Sequence, residues 1–244
     1  SELRRKPRPS HADYTAFVAS GGFRDYRGGG HFSGRLTAPL VFAGAVGKQV
    51  LKPRGITGSP RVSMLGGVKD PSESQIEDIV LSAKQAGDSV GGTIACAVEG
   101  MPAGLGAPDF GCNVEGIFSQ YLFAVPAVKG VAFGAGFALA SMRGSEANDP
   151  FYMDGDTVKT RTNNAGGVNG GITNGMPITF EAVLRPTTSI YKEQDTVDLD
   201  TMEDAKLIIH GRHDPCIVTR AVVVIEAAAA LASCEVLEGG RSPL

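Results

Sequence analysis

The sequence has no tryptophan, only four histidines and no surplus of positive charge: 23 Lys and Arg stand against 26 Asp and Glu, a formal net charge of −3. That balance argues against bulk attraction to nucleic acid or an anionic membrane, so any anionic ligand must be held by a local site. Cys96, Cys112, Cys216 and Cys234 form no CxxC pair, which fits a reducing, cytoplasmic setting better than a disulfide framework. No apolar run is long enough to span a bilayer, and the longest, AVVVIEAAAALASC from Ala221, is interrupted by Glu226. SELRRKPRPS at the front lacks a signal-type apolar segment. There is no fixed-period repeat and no polar linker, so residues 1–244 are expected to form a single domain.

What the chain does have is apolar residues at 42%, enough for a sizeable core, and 33 glycines among 244 residues, clustered between periodic segments. LTAPLVFAGAVGKQVL from Leu36 has helical spacing and predicts a buried helix with Pro39 in its first turn. SQIEDIVLSAKQAG predicts a helix opened by a capping box from Ser74 to Glu77 and stopped at Gly87. VGGTIACAV alternates as a strand, IFSQYLFAV is helical, VKGVAFG and FALASM predict a strand pair, MPITFEAVLR and AKLIIHG predict strands, and a closing helix starts near Val218. Strand and helix do not alternate regularly, which favours an α+β fold with antiparallel sheets against buried helices. Residues 143–175 are weakly periodic and read as a long functional or mobile loop.

Several of the glycine-bearing loops carry chemistry. RDYRGGGHFSGR feeds a helix and could present backbone N–H groups to an anion, or be a plain turn with exposed arginines; it is no Walker A loop, because no GK[ST] follows. NNAGGVNGGITNG could lie flat on a planar ligand or be an ordinary loop. RPTTS at 185 supplies one guanidinium and three hydroxyls, suited to a phosphate or to capping. His11 in RPSHADYT is a candidate general acid or a satisfied structural histidine. In GRHDPCIV, Arg212, His213 and Asp214 precede Pro215 and a helix. A metal reading of His210, His213, Asp214 and Cys216 has suitable donors but no known spacing, and no metal is expected.

Taken in order, RPSHADYT, RDYRGGGHFSGR, NNAGGVNGGITNGMPI, RPTTSI and GRHDPCIVTRAV resemble the chorismate synthase family, with GDSVGG, MPAGLG, PAVKGV and MRGSEAND between them. The resemblance implies a β-α-β sandwich of antiparallel sheets around buried helices, usually assembled as a homotetramer. It also implies a carbon-oxygen lyase that eliminates phosphate and a ring hydrogen from 5-enolpyruvylshikimate 3-phosphate to give chorismate, a step of aromatic amino-acid biosynthesis. The cofactor implied is FMN in its reduced form, with NADPH as the reductant where the enzyme reduces its own flavin. Carried over by position, flavin contacts fall on His31, Phe32, Ser33, Ala127, Gly170, Arg185, Pro186, Thr187, Thr188, Ser189 and Arg212. His11 matches a histidine that places a proton near the flavin N1 and C2 carbonyl, and Asp214 an acid that takes the N5 proton. Arg35 and Arg212 match positions facing the substrate's anionic groups, while Cys216 and the run from Ala221 are expected in the core.

The chain departs from the family pattern at its front, where a GESHG-type histidine motif and an arginine-rich stretch are expected and neither occurs. The stretch between Leu51 and Gln75 is shorter than expected, and His31, Phe32, Arg185, Thr219 and Val223 replace more usual residues. A second reading is therefore a truncated, non-catalytic flavin-binding protein on the same scaffold.

Overall fold

The structure, a computed structural model, describes residues 2–211 and 213–239. In chain order the elements are α1 (Asp13–Ala19), α2 (Thr37–Leu51), β1 (Thr57–Leu65), β2 (Val68–Lys69), α3 (Glu73–Gln85), β3 (Gly92–Glu99), α4 (Val114–Phe123) and β4 (Val128–Phe133). There follow α5 (Gly144–Ala147), β5 (Phe151–Asp154), β6 (Thr157–Thr160), β7 (Val168–Asn169), β8 (Ile172–Thr173), β9 (Ile178–Leu184), β10 (Gln194–Asp198), β11 (Glu203–Leu207) and α6 (Val218–Gly239).

Five strands form one antiparallel sheet in the order β2-β1-β3-β9-β4, and the remaining six make three hairpins. The α+β expectation therefore holds. Alternation sets the buried face: Ile94, Cys96 and Val98 on β3 and Ile178, Phe180, Ala182 and Leu184 on β9 all point into the core, where Phe118 of α4 packs edge-on against Phe180 and Phe133. Helix α6 lies over β1 and β3, and its middle, from Val224 to Ser233, has no exposed residue. Its alanines are small because α2 comes very close: a Cβ on Gly44 would sit 2.4 Å from the Cβ of Ala227. Gly44 meets Ala227 and Gly47 meets Leu231 and Cys234, so the two helices run parallel and their N-termini lie at the same end.

Several expectations are corrected. Helix α2 is not buried all round: Phe42, Val46 and Val50, on one i, i+4, i+8 stripe, are 76%, 50% and 44% exposed. The capping box of α3 is Ser72 with Gln75, because Ser72 behind Pro71 holds the extended N-cap conformation while Ser74 is already inside the helix. FALASM is a 3-10 turn, Gly136–Ser141, and not a strand. The strand expected in AKLIIHG ends at Leu207 and begins earlier, at Glu203. Residues 143–175 are not a bare loop but hold α5 and two hairpins, braced by Asp149, whose carboxylate accepts from Thr162 Oγ1 (2.6 Å) and from the backbone N–H of Asn164 and Ala165 (2.8 Å each). Cys216 and the α6 alanines are in the core as expected.

Candidate functional site

Strands β3 and β9 pair from Gly92 opposite Leu184 to Val98 opposite Ile178. The end where β3 starts and β9 stops collects most of the expected site residues. Arg185 follows β9 directly, and its N–H donates to the Ala127 carbonyl at 3.0 Å. That bond helps hold Ala127 at φ +74°, a left-handed conformation costly for a residue with a side chain. The Arg185 guanidinium donates to the Ser10 carbonyl, which brings the His11 segment to the same end.

The loop of Asp88, Ser89 and Val90 ties the remaining pieces together. Ser89 Oγ donates to the Thr187 carbonyl at 2.6 Å, Val90 N–H to the Pro215 carbonyl at 2.9 Å, and Tyr191 N–H to the Gly87 carbonyl at 2.9 Å. Gly91 is required here, because a Cβ would sit 2.6 Å from the Leu184 carbonyl oxygen. Thr187, Thr188 and Ser189 are half-buried, and Thr187 Oγ1 is buried without a hydrogen-bond partner among the described residues. An unpaired buried hydroxyl is expensive, and a ligand oxygen would relieve it.

His213 and Asp214 turn out to differ in kind. His213 Nε2 lies 3.0 Å from the Ile209 carbonyl and its ring 4.8 Å from that of Tyr191, so it braces the corner. Asp214 is half-buried just ahead of α6; it accepts from Cys216 N–H at 3.3 Å and pairs with Arg220 at 2.9 Å. Arg212 lies outside the described residues. Burial pushes the Cys216 thiol up despite backbone N–H groups beside it, and pushes Cys96 up to about 12, so neither is an activated nucleophile. Among the described residues no three His, Cys, Asp or Glu side chains form a metal-binding group.

The parallel pairing of α2 and α6 carries the residues before α2 to this same end. His31 and Phe32 are exposed in a 3-10 turn, Ser33 accepts from the Arg35 N–H at 3.3 Å, and the Arg35 side chain is exposed. Gly170 is not in the group. It sits at φ +61° in the β7–β8 turn, anchored near Ala107 and Asn113 through its neighbour Gly171, beyond the opposite end of β9.

His11 stands in the most charged corner of the site. Arg8 grips Asp13 with both sides of its fork, Nε to Oδ2 at 2.8 Å and Nη2 to Oδ1 at 3.0 Å, and its backbone N–H adds a bond at 3.0 Å. Arg24 Nη1 reaches Asp13 Oδ1 at 3.2 Å, and His11 Nδ1 reaches the same oxygen at 2.9 Å. Asp13 is 4% exposed. Burial works against its charge, but the hydrogen bonds from Arg8 and His11 outweigh it and hold the carboxyl well below its ordinary 3.8. Beside this cluster a cavity of about 550 Å³ is lined by Arg8, His11, Tyr14, Asp195, Asp198 and Met202.

Because the folded Asp13 carboxyl is depressed, its contribution to stability is fully present above the unfolded value and disappears as pH falls below it. Acid titration of Asp13→Asn is therefore expected to show a shallower loss of stability below about pH 4 than the wild type. Identical acid limbs for the two proteins would refute that contribution.

The residues that sequence reasoning missed are Asp13, Arg8, Arg24 and Ser89. A histidine flanked by Arg8 and Asp13 within six positions was the available signal; Arg24 is brought back only by the turn after α1.

A family model described as chorismate synthase matches residues 1–237. The chorismate synthase of Chitinophaga pinensis is 49% identical over 231 residues, covering 95% of this chain and 67% of that protein. That of Thermococcus gammatolerans is 46% identical over 246 residues, covering 93% of this chain and 68% of that protein. A solved structure described as a crystal structure of chorismate synthase shares the fold with a TM-score of 0.75 at 24% identity, over 93% of this chain and 71% of that one. The chain thus spans about two thirds of the length of these curated relatives.

Proposed function

The chain belongs to the chorismate synthase family, and from that premise we propose that it is a lyase that converts 5-enolpyruvylshikimate 3-phosphate to chorismate with reduced FMN. The observation that carries this reading is the convergence of His11, Ala127, the Arg185–Ser189 loop and Asp214 at one end of the sheet.

The residues present fit a flavin phosphate. Arg185 offers a guanidinium, Thr187, Thr188 and Ser189 offer hydroxyls, and the unpartnered Thr187 Oγ1 supports a ligand oxygen there. Ala127 and the turn of His31, Phe32 and Ser33 would hold the rest of the cofactor, and Pro186 keeps the loop stiff. Gly170 does not fit this group and is left out of the site within its own chain. When bound, the reduced flavin supplies an electron-rich ring, so that elimination needs no net oxidant. His11 holds a proton in the cavity, Asp214 takes one up, and Arg35 and Arg212 hold the substrate's anionic groups.

The direct test is an anaerobic assay with chemically reduced FMN and the phosphorylated substrate. Chorismate formation is expected. Tight FMN binding with no chorismate would support instead a non-catalytic flavin-binding scaffold. Supplying NADPH in place of the chemical reductant tests whether the protein reduces its own flavin.

Arg212→Lys keeps the charge but loses the planar fork, so titration with FMN and with substrate is expected to show binding weaker by about 1–3 kcal/mol. Wild-type affinity for both ligands would remove Arg212 from the site.

We further propose a cytoplasmic homotetramer in which residues 1–244 act as one domain. The exposed stripe of Phe42, Val46 and Val50 supports an association surface, and sedimentation of the protein reads its assembly.

A further inference from the structure

We propose that Asp13 is the positioning residue of His11, holding the imidazole with its proton on Nδ1 so that Nε2 faces the cavity. The proposal rests on the reading of His11 as the proton-bearing residue of the reaction.

Nδ1 has two neighbours, Asp13 Oδ1 at 2.9 Å and Arg8 Nη2 at 3.1 Å. A guanidinium only donates, so the Arg8 contact would be a hydrogen bond only with an unprotonated Nδ1. That arrangement would aim the ring's lone pair at a carboxylate held ionised by two arginines. Arg8 Nη2 has no need of it, since it already reaches Asp13 Oδ1 at 3.0 Å and the Gly28 carbonyl at 3.1 Å. The consistent assignment is Nδ1–H donating to Asp13. Nε2 makes no hydrogen bond among the described residues, and the ring lines the cavity. The tautomer that imidazole favours in water carries its proton on Nε2, so the protein must enforce the other one, and the buried carboxylate supplies the enforcement.

Arg8 and Arg24 fix the carboxylate in turn: both guanidinium groups pair with it, so the oxygen that faces Nδ1 is itself held in place. The charged groups facing this corner are Arg8 and Arg24 on the near side, Arg185 at the Ser10 carbonyl and, across the cavity, Asp195 and Asp198, paired with Lys206 and with Arg5 (3.3 Å) respectively. In the protonated ring the Nε2 proton is the one delivered to a ligand in the cavity, while the Nδ1 proton stays on the ring, donated in a hydrogen bond to Asp13. After transfer the ring is neutral with its lone pair on Nε2, ready to take a proton back.

The first measurement is nitrogen NMR of histidine-labelled protein, with the His11 signals assigned by their loss in His11→Gln. The expected result is a neutral ring protonated on Nδ1; a neutral ring protonated on Nε2 would overturn the proposal without any variant having to fold. The second is a cycle of kcat values. Asp13→Asn is expected to lower kcat on the order of 10²-fold or more in the wild-type background, by analogy with carboxylates that fix a catalytic imidazole, and to add nothing in a His11→Gln background. Equal losses in both backgrounds would assign Asp13 to structure alone and overturn the proposal. Full turnover in His11→Gln would instead sink the reading of His11 on which the proposal rests, and the nitrogen shifts would still decide the tautomer.

Discussion

Asp214→Asn is expected to turn over on the order of 10²-fold more slowly than the wild type while binding FMN almost unchanged, if its carboxylate works as a base. The geometry separates this from a stability effect. Asn retains the oxygen that accepts from Cys216 N–H in the turn ahead of α6, so the local turn survives. What is lost is the pair with Arg220, a side chain 79% exposed, and such pairs contribute about 0–1 kcal/mol. A protein with near wild-type melting and flavin affinity but slow chemistry is therefore the predicted outcome. Unchanged kcat would leave Asp214 as a residue that braces the turn ahead of α6 and remove it from the reaction.

The largest expected effect on stability comes from Gly44→Val. At this crossing the added Cβ would lie 2.4 Å from Ala227 Cβ and 2.5 Å from its Cα, distances that real side chains do not tolerate. Replacing a mid-helix glycine gains less than about 1 kcal/mol of helix propensity. Overpacking costs about 1–3 kcal/mol for small insertions and more where backbone must move, as it must here, so a net loss of about 3 kcal/mol or more is expected in denaturant unfolding. The same shift would pry the front of α2, with Ser33 and Arg35, away from the front of α6, so ligand affinity should fall in whatever protein still folds. A change within about 0.5 kcal/mol would mean that the helices are not in contact at Gly44.

The sheet's central strands were legible because burial writes itself as alternation: Ile178, Phe180, Ala182 and Leu184 need no partner to be recognised. Strand β1 carries no such signature. TGSPRVSML has a proline in it, which is tolerated because β2 pairs only with Met64 and Leu65, leaving Pro60 on a free edge opposite its pairing with Cys96. QDTVD of β10 is too polar to be recognised, since its hairpin has little to bury. FALASM misled because a six-residue apolar run fits a strand or a tight turn equally well, and Gly134 and Gly136, both at positive φ, decide for the turn.

The ordered motifs named segments that the structure gathers at one end of the sheet, but not the contacts that join them. His11, Arg185 and Asp214 are joined through Ser10, Ser89, Val90 and Pro215, contacts between residues that are distant in sequence and carry no local pattern. Nor does the sequence show that, within one chain, the length of β9 separates Gly170 from the others.

The segment that delivers His11 also has a history in time. Residues 5–7 are clamped by partners made much later: Leu199 N–H donates to the Arg5 carbonyl at 2.9 Å, Thr196 Oγ1 to the Pro7 carbonyl, and Lys6 Nζ to the Lys206 carbonyl at 3.2 Å. At about 5–20 residues per second, a ribosome takes roughly 10–40 s to synthesise the intervening chain. Until β10 and β11 emerge, the arginines around Asp13 have their carboxylate but not the wall that seats them. This corner is thus expected to be among the last parts of the molecule to order during synthesis, and a nascent chain halted before Gln194 should leave His11 open to solvent and to proteases even where α2 and the first three strands have already formed.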